Sequence, residues 1–118
     1  MHVLALAIEV HLPDSRSLKH KRAVLRPVLD GIRARYPVAV AETDHQDRWQ
    51  RAEIGVVTVS ASPRVAREVV DEVERFVWSF PELEVLTMRR FWAEEDAAYG
   101  VEPDDPYDDT IEPTEGLE

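Results

Sequence analysis

The stretch VLALAIEVHLPDSRSLKHKRAVLRPVLDGIRARYP, residues 3–37, decides the fold because it contains two different apolar periods. Apolar residues alternate onto one face over 3–12, which predicts a strand. Pro13-Asp14-Ser15 then interrupts the alternation, and apolar residues recur at helical spacing over 18–36. A strand followed by a helix is therefore predicted, with small and polar residues on the second face of the strand.

The limits of this helix are set by residues with known local preferences. Ser17 or Ser15 is the expected N-cap, and Pro37 ends the helix. Pro27 removes the hydrogen bond to the carbonyl of Ala23, at a typical cost of about 3 kcal/mol inside a helix. Because the apolar period continues past Pro27, we expect a bend there and not a break.

The rest of the chain repeats the pattern with one added strand. Strands are predicted over 38–44, 53–60 and 84–92, and Ser62-Pro63 predicts the start of a second helix that ends before Pro81. Gly55, inside a strand, indicates a bulge or the close approach of another group. The order βαββαβ predicts an α+β ferredoxin-like split βαβ sandwich, in which an antiparallel four-stranded sheet carries two helices on one face. The predicted core includes Leu6, Ile8, Leu25, Leu29, Val56, Val73 and Phe76, and the buried stripe of the second helix is predicted to begin at Val65.

Charge divides the chain into two parts. The 118 residues contain 14 Lys and Arg against 24 Asp and Glu, a formal net charge of −10. All of the bases precede Ala93, whereas eleven of the acids follow it. Residues 1–92 are therefore expected to form the domain, and residues 93–118 an acidic, disordered tail that cannot bury enough apolar surface to fold alone.

Composition excludes several classes of site. The chain has no cysteine, so disulfides, thiolate metal sites and cysteine nucleophiles are excluded. Its apolar opening lacks a basic segment and is interrupted by Glu9 and His11, and no stretch is long enough to cross a membrane. There is no Gly-rich phosphate loop, GxSxG or HExxH motif. We therefore expect a cytoplasmic protein that binds no membrane and no cofactor and has no catalytic residues.

The first helix is unusually basic at its start. A helix N-terminus favours acids, yet SRSLKHKR places bases there and no acid. This pattern predicts an anion or RNA phosphate site, formed by Arg16, Lys19, Lys21, Arg22, Arg26 and Arg33. The alternatives are a solvated helix face or a docking surface for the acidic tail.

The polar loop between the second and third strands is the other candidate contact surface. It contains Asp44, His45, Gln46, Asp47, Trp49, Gln50 and Arg51. Exposed Trp and Arg favour a protein interface, and carboxylates beside an imidazole also allow a metal site or acid–base chemistry. Because ligands so close in sequence converge poorly, we predict no metal. The structural alternative is a hairpin whose Asp and Gln side chains satisfy turn groups.

The sheet face away from the helices has few large residues. Its two central strands present Ala5, Ala7, Glu9, Gly55 and Val57. RNA-recognition domains of this fold stack bases on aromatic residues of the central strands, so that mode is not expected here. Small residues favour close packing of two sheets, which predicts a homodimer through this face; cover by the tail is the alternative.

Three segments together resemble one known family. HLPDSRSLKHKRAVLRPVLDGIRARY (11–36), VAVAETDHQDRWQRAEIGVVTVS (38–60) and VERFVWSFPELEVL (73–86) are similar to the YlxP-like family of small bacterial proteins of unknown function. The resemblance implies a ferredoxin-like fold and no established activity. Genes of this family often lie beside those for a ribosome-maturation factor and a translation initiation factor, which is an association and not a mechanism.

These observations predict a non-enzymatic binding module. Its expected partner is ribosomal RNA or a ribosome-associated protein, contacted through the first helix. A homodimeric scaffold without a nucleic-acid role is the second hypothesis. An unrecognised enzyme that uses the 44–51 loop is the third.

Overall fold

The computed structural model describes residues 1–93. Six elements follow one another: β1 (His2–His11), α1 (Leu18–Arg35), β2 (Ala39–Asp44), β3 (Arg51–Ser60), α2 (Pro63–Trp78) and β4 (Glu84–Ala93). The predicted βαββαβ order is confirmed. β3 begins two residues before the predicted strand, and β4 extends one residue beyond the predicted domain boundary at Trp92. The predicted disorder of the tail lies outside the described residues.

The four strands form one antiparallel sheet in the order β2-β3-β1-β4. β1 and β3 are therefore central, as predicted, because the βαβ crossovers carry the chain past a neighbouring strand each time. Alternation along β1 separates the two faces: Leu4, Leu6 and Ile8 are buried beneath the helices, while Ala5 and Glu9 lie on the other side. We call that other side the open sheet face.

Local signals set both helix starts. The Ser17 hydroxyl accepts a hydrogen bond from the His20 amide at 3.0 Å, so Ser17 and not Ser15 caps α1. Pro27 lies within an uninterrupted α1, as the continuing apolar period predicts. The Ser62 hydroxyl caps α2 by accepting from the Val65 amide, with Pro63 at the first helical position.

The core lies between the sheet and the helices, and most of its predicted members are buried. Leu29 and Phe76 pack against the core but are only partly buried. The predicted burial of Val65 is wrong, because its side chain is 37% exposed. Ala66 begins the buried stripe of α2 instead, and the stripe continues at helical spacing through Val70, Val73 and Val77.

Gly55 allows a close approach across the β2–β3 pair. The pairing of β2 with β3 shifts register between Glu42 and Asp44, and the intervening Thr43 lies over Gly55. A Cβ atom at residue 55 would lie 2.6 Å from Thr43 Cγ2, which is too close for any side chain. The bulge is therefore in β2, and Gly55 is the position that accommodates it.

Candidate functional site

The exposed cations of α1 form one face along its first half. Lys19, Arg22 and Arg26 lie within about one-sixth of a helical turn of one another, and Arg16 precedes the cap. All four are exposed, and none forms an ion pair with an acid of residues 1–93. We call these four residues the cationic face of α1.

Lys21 does not belong to this face, which corrects the prediction that it binds an external anion. Its side chain is 1% exposed, and its Nζ donates to the backbone carbonyls of His45 at 2.8 Å and Arg51 at 3.1 Å. The same atom lies 2.7 Å from Glu42 Oε2, an ionic contact without hydrogen-bond alignment. Lys21 is buried because it shares the inward stripe of α1 with Leu25, one turn later.

Arg33 is directed to the edge of the sheet. Its guanidinium donates to Asp30 Oδ1 at 3.0 Å and to the carbonyl of Val40, in edge strand β2, at 3.1 Å. Together with Arg22 and Arg26, it lines a groove of about 210 Å³ between α1 and β2. Since Arg33 already has a carboxylate partner, Arg22 and Arg26 are the cations of this groove that have no acidic partner within residues 1–93.

The loop between β2 and β3 is held by its own polar side chains. Asp44 Oδ1 accepts from the His45 amide at 2.7 Å, and the Gln46 side chain donates to the Glu42 carbonyl at 3.2 Å. His45 has a φ of 62°, in the left-handed region, where a turn requires it. Gln50 Nε2 donates to the carbonyls of Pro13 and Ser15, which joins this loop to the β1–α1 connection. Three residues of the predicted contact loop, Asp44, Gln46 and Gln50, therefore have structural partners.

Asp47 and Trp49 are exposed residues of this loop whose side chains form no hydrogen bond within residues 1–93. The Trp49 side chain is 55% exposed and lines a shallow surface pocket together with His11 and Arg51. The described residues contain no group of three His, Cys, Asp or Glu side chains arranged to hold a metal ion. Trp49 is a large aromatic side chain of this loop that solvent reaches.

Glu9 joins the loop to the open sheet face. Arg51 Nη2 lies 2.6 Å from Glu9 Oε1, and His45 Nε2 lies 3.0 Å from Glu9 Oε2. The hydrogen bond from Arg51, opposed by partial burial and helped by His45, holds the pKa of Glu9 below its ordinary value of 4.5. His11, two residues along the same strand, pairs instead with Glu84 at 2.8 Å.

The open sheet face contains a shallow cavity of about 450 Å³. Small side chains of β1, β2 and β3 form its base, and two large side chains of β4, Arg89 and Phe91, stand at its border. Sequence reasoning considered only the central strands and missed both residues of β4. It also missed the partners of Glu9, since the strand register that places them is set by pairing between distant segments.

Comparisons with known proteins identify a matching family model, a similar protein sequence and a similar solved structure. A family model described as "Protein of unknown function (DUF503)" matches residues 3–90. The uncharacterized protein YlxP of Bacillus subtilis (strain 168) is 38% identical over 79 residues, which make up 67% of this chain and 86% of that protein. A de novo designed protein with a ferredoxin fold, solved by NMR in solution, aligns with 86% of this chain and 95% of its own, with a TM-score of 0.45 and 13% identity.

The family match covers the described fold almost from end to end. It includes Lys21 and Gln50 and their carbonyl partners, so two of the three segments that carry the resemblance, 11–36 and 38–60, are in contact in space. Within residues 1–93, α1 and α2 are each too short or too polar to cross a bilayer. The resemblance to the YlxP-like proteins is confirmed, and the chain belongs to the family of proteins of unknown function DUF503.

Proposed function

We propose that the chain is a non-enzymatic binding module of the cytoplasm that holds RNA, in or near the ribosome, through phosphate contacts with the cationic face of α1. One observation supports the proposal above the others: Arg16, Lys19, Arg22 and Arg26 are exposed side by side with no acidic partner within residues 1–93. Two exposed bases outside this face, Arg64 and Arg90, are by contrast paired with acids. Like charges left together without partners repel one another, and an anionic polymer relieves that repulsion.

The groove beside the cationic face indicates the direction in which an RNA strand would run along α1. Arg22 and Arg26 are four residues apart on α1, about 6 Å along its axis, and both reach the groove that α1 forms with β2. Guanidinium groups bind phosphate with paired donors and also stack on bases. A single strand of RNA running along α1 would therefore meet two guanidinium groups in succession.

The test is the salt dependence of RNA binding. Fluorescence anisotropy with a single-stranded oligoribonucleotide should give a log K that falls linearly with log salt. Arg22→Gln with Arg26→Gln should flatten that slope by roughly one unit for each lost contact. Arg64→Gln with Arg67→Gln removes two bases from α2 and should leave the slope unchanged. The proposal would be contradicted if both double variants had the same salt slope as the wild type. Sedimentation of the chain with ribosomal subunits from cell lysate tests whether its RNA partner lies in or near the ribosome.

A homodimeric scaffold without a nucleic-acid role is the second candidate function. It is favoured by the apolar cavity of the open sheet face, which lies on the side of the sheet opposite α1. Salt separates the two candidates, because packing of apolar sheet faces involves no release of counterions whereas phosphate contacts do.

A further inference from the structure

Strand register places two rows of side chains across the middle of the open sheet face, with Val3 and Val59 beyond the first row and Glu9 and Glu53 beyond the second. The first row is Phe91, Ala5, Val57 and Ala39, on β4, β1, β3 and β2 in turn. The second row is Arg89, Ala7, Gly55 and Ala41, in the same strand order. Each row therefore begins with a large side chain on β4 and ends with alanine on β2.

This gradient in side-chain size gives the face two complementary halves. Phe91 is 50% exposed and is the cross-strand partner of Ala5. Toward β2, alanine and glycine leave the shallow cavity of about 450 Å³ without a side chain large enough to fill it. An exposed aromatic ring beside an apolar cavity on one surface is what a self-complementary interface contains.

We infer that the open sheet face binds a second copy of the chain, with Phe91 of each copy seated over the alanines of β2 in the other. A two-fold axis parallel to the strands, above the middle of the sheet between β3 and β1, produces this arrangement. It superposes β4 of one copy on β2 of the other and keeps each row opposite itself. Two sheets then pack face to face about 10 Å apart.

Charge on the open sheet face also fits a second copy. Three of the acids that the register places on it, Glu9, Glu53 and Glu84, contact Arg51 at 2.6 Å, Arg89 at 3.8 Å and His11 at 2.8 Å. The fourth, Asp44, lies at the end of β2, so the cavity and the row of Phe91 present no unmatched acid to a second copy. The 3.8 Å pair is loose, and Arg89 is 66% exposed, which leaves its guanidinium able to turn toward an acid of the other copy. Because acids and bases are paired on this face, its charge does not favour binding of residues 93–118, which contain eleven acids, over binding of a second copy.

The size of the face is sufficient for a stable contact. Four strands at about 4.8 Å and strand lengths of six to ten residues give roughly 500 Å² of projected surface. Accessible surface exceeds projected surface, so the face is of the same order as the ~800 Å² per partner of a standard interface. Since this surface lies opposite α1, the inference holds or fails independently of RNA binding.

Sedimentation equilibrium of the full chain tests the inference. The wild type should approach twice its 13.5 kDa mass at micromolar concentration. Ala41→Arg, which puts a charge into the cavity, and Phe91→Ser, which removes the ring, should each return the mass to 13.5 kDa. Trp78→Ser is the matched control, because Trp78 is 62% exposed on α2, away from the open sheet face, and should leave the dimer intact. Circular dichroism verifies that each variant is folded.

Cross-linking tests the direction of the axis, since the chain has no cysteine of its own. A mixture of Ala41→Cys and Arg89→Cys chains should be joined rapidly by a bis-maleimide of about 10 Å, because the axis places these positions opposite each other across about one sheet spacing. Arg89→Cys alone should react far more slowly, because its two copies lie three strand spacings apart. A monomeric wild type, a dimer unaffected by both Ala41→Arg and Phe91→Ser, or rapid cross-linking of Arg89→Cys alone would each overturn the inference.

Discussion

Lys21 Nζ donates a hydrogen bond of 2.8 Å to the backbone carbonyl of His45, the residue of positive φ in the β2–β3 loop. The two residues are 24 positions apart in the chain. A buried ammonium group needs both hydrogen-bond acceptors and a balancing charge: the carbonyls of His45 and Arg51 accept two hydrogen bonds, and the Glu42 carboxylate at 2.7 Å balances the charge. The contact therefore fixes the start of α1 against the hairpin loop.

Replacement of Lys21 should destabilise the fold far more than replacement of its exposed neighbour. Lys21→Met keeps the length of the side chain but leaves the partly buried Glu42 carboxylate uncompensated, which typically costs about 3–5 kcal/mol. Lys19→Met, on the exposed side of α1, should change the free energy of unfolding by no more than about 0.5 kcal/mol. Urea unfolding of the two variants measures the difference. Addition of Glu42→Gln to Lys21→Met should restore part of the loss, and equal stability of the two single variants would show that Lys21 is not the anchor.

Local sequence patterns were sufficient to predict the elements, because their signals lie within a few residues. Ser17 and Ser62 cap their helices through amides three residues away, and Pro27 remains inside α1 since the buried stripe continues past it. The burial of Lys21 had a local signal too: Lys21, Leu25, Val28 and Ile32 share one helical stripe. The bases on either side of Lys21 hide that signal. Charge groups Lys21 with the exposed bases, whereas its spacing from Leu25 predicts that it is buried.

The candidate sites were only partly predictable, because they depend on pairing between distant residues. The contact between Glu9 and Arg51 joins positions 42 apart, and the β1–β4 and β2–β3 registers each shift at one point. A shift of one residue moves a side chain to the other face of the sheet. The pattern of residues within β4 alone therefore does not predict that Phe91 is exposed beside the alanines of β1. That position is set by the register between β1 and β4.

Glu9 should make stability depend on pH in the acid range. Its pKa is lowered in the folded chain, chiefly by the hydrogen bond from Arg51, so Glu9 contributes stability above its ordinary pKa of 4.5. That contribution is lost as the pH falls through the lowered pKa. The difference in unfolding free energy between wild type and Glu9→Gln should therefore be constant near neutral pH and shrink below about pH 4.5.

Urea unfolding between pH 7 and pH 3 measures this difference. Glu82→Gln is a suitable control, since Glu82 is exposed and forms no ion pair within residues 1–93. A gap between wild type and Glu9→Gln that is as large at pH 3 as at pH 7 would mean that ionisation of Glu9 adds nothing to stability.

Two leucines of α1, four residues apart, should differ in their contribution to the core. Leu25 is 2% exposed, whereas Leu29 is only partly buried and borders the groove between α1 and β2. Leu25→Ala should cost about 2–5 kcal/mol, as cavity-forming substitutions do, and Leu29→Ala distinctly less. Thermal or urea unfolding gives both values, and the reverse order would place Leu29 deeper in the core than its exposure indicates.

The last prediction concerns the acidic residues that follow β4. The cationic face of α1 has no acidic partner within residues 1–93, and residues 94–118 contain eleven acids and no base. A tethered segment has an effective concentration of order millimolar, so even a weak attraction would compete with RNA for that face. Because individual exposed ion pairs contribute only about 0–1 kcal/mol, the competition must be collective and sensitive to salt. Deletion of residues 94–118 should therefore strengthen binding to a generic RNA at low salt.

Charge and chain length can be separated in this experiment. A full-length chain in which the eleven acids are replaced by serine or glutamine should bind RNA as tightly as the truncated chain, because only the charge has been removed. Arg22→Glu with Arg26→Glu should abolish the gain in both backgrounds, since the contested face is then reversed. If the truncated chain binds RNA no better than the full chain, the acidic segment does not compete for α1. If the truncated chain also shows no salt-dependent binding at low salt, the cationic face is not an RNA site, and the homodimeric scaffold becomes the better account of this chain.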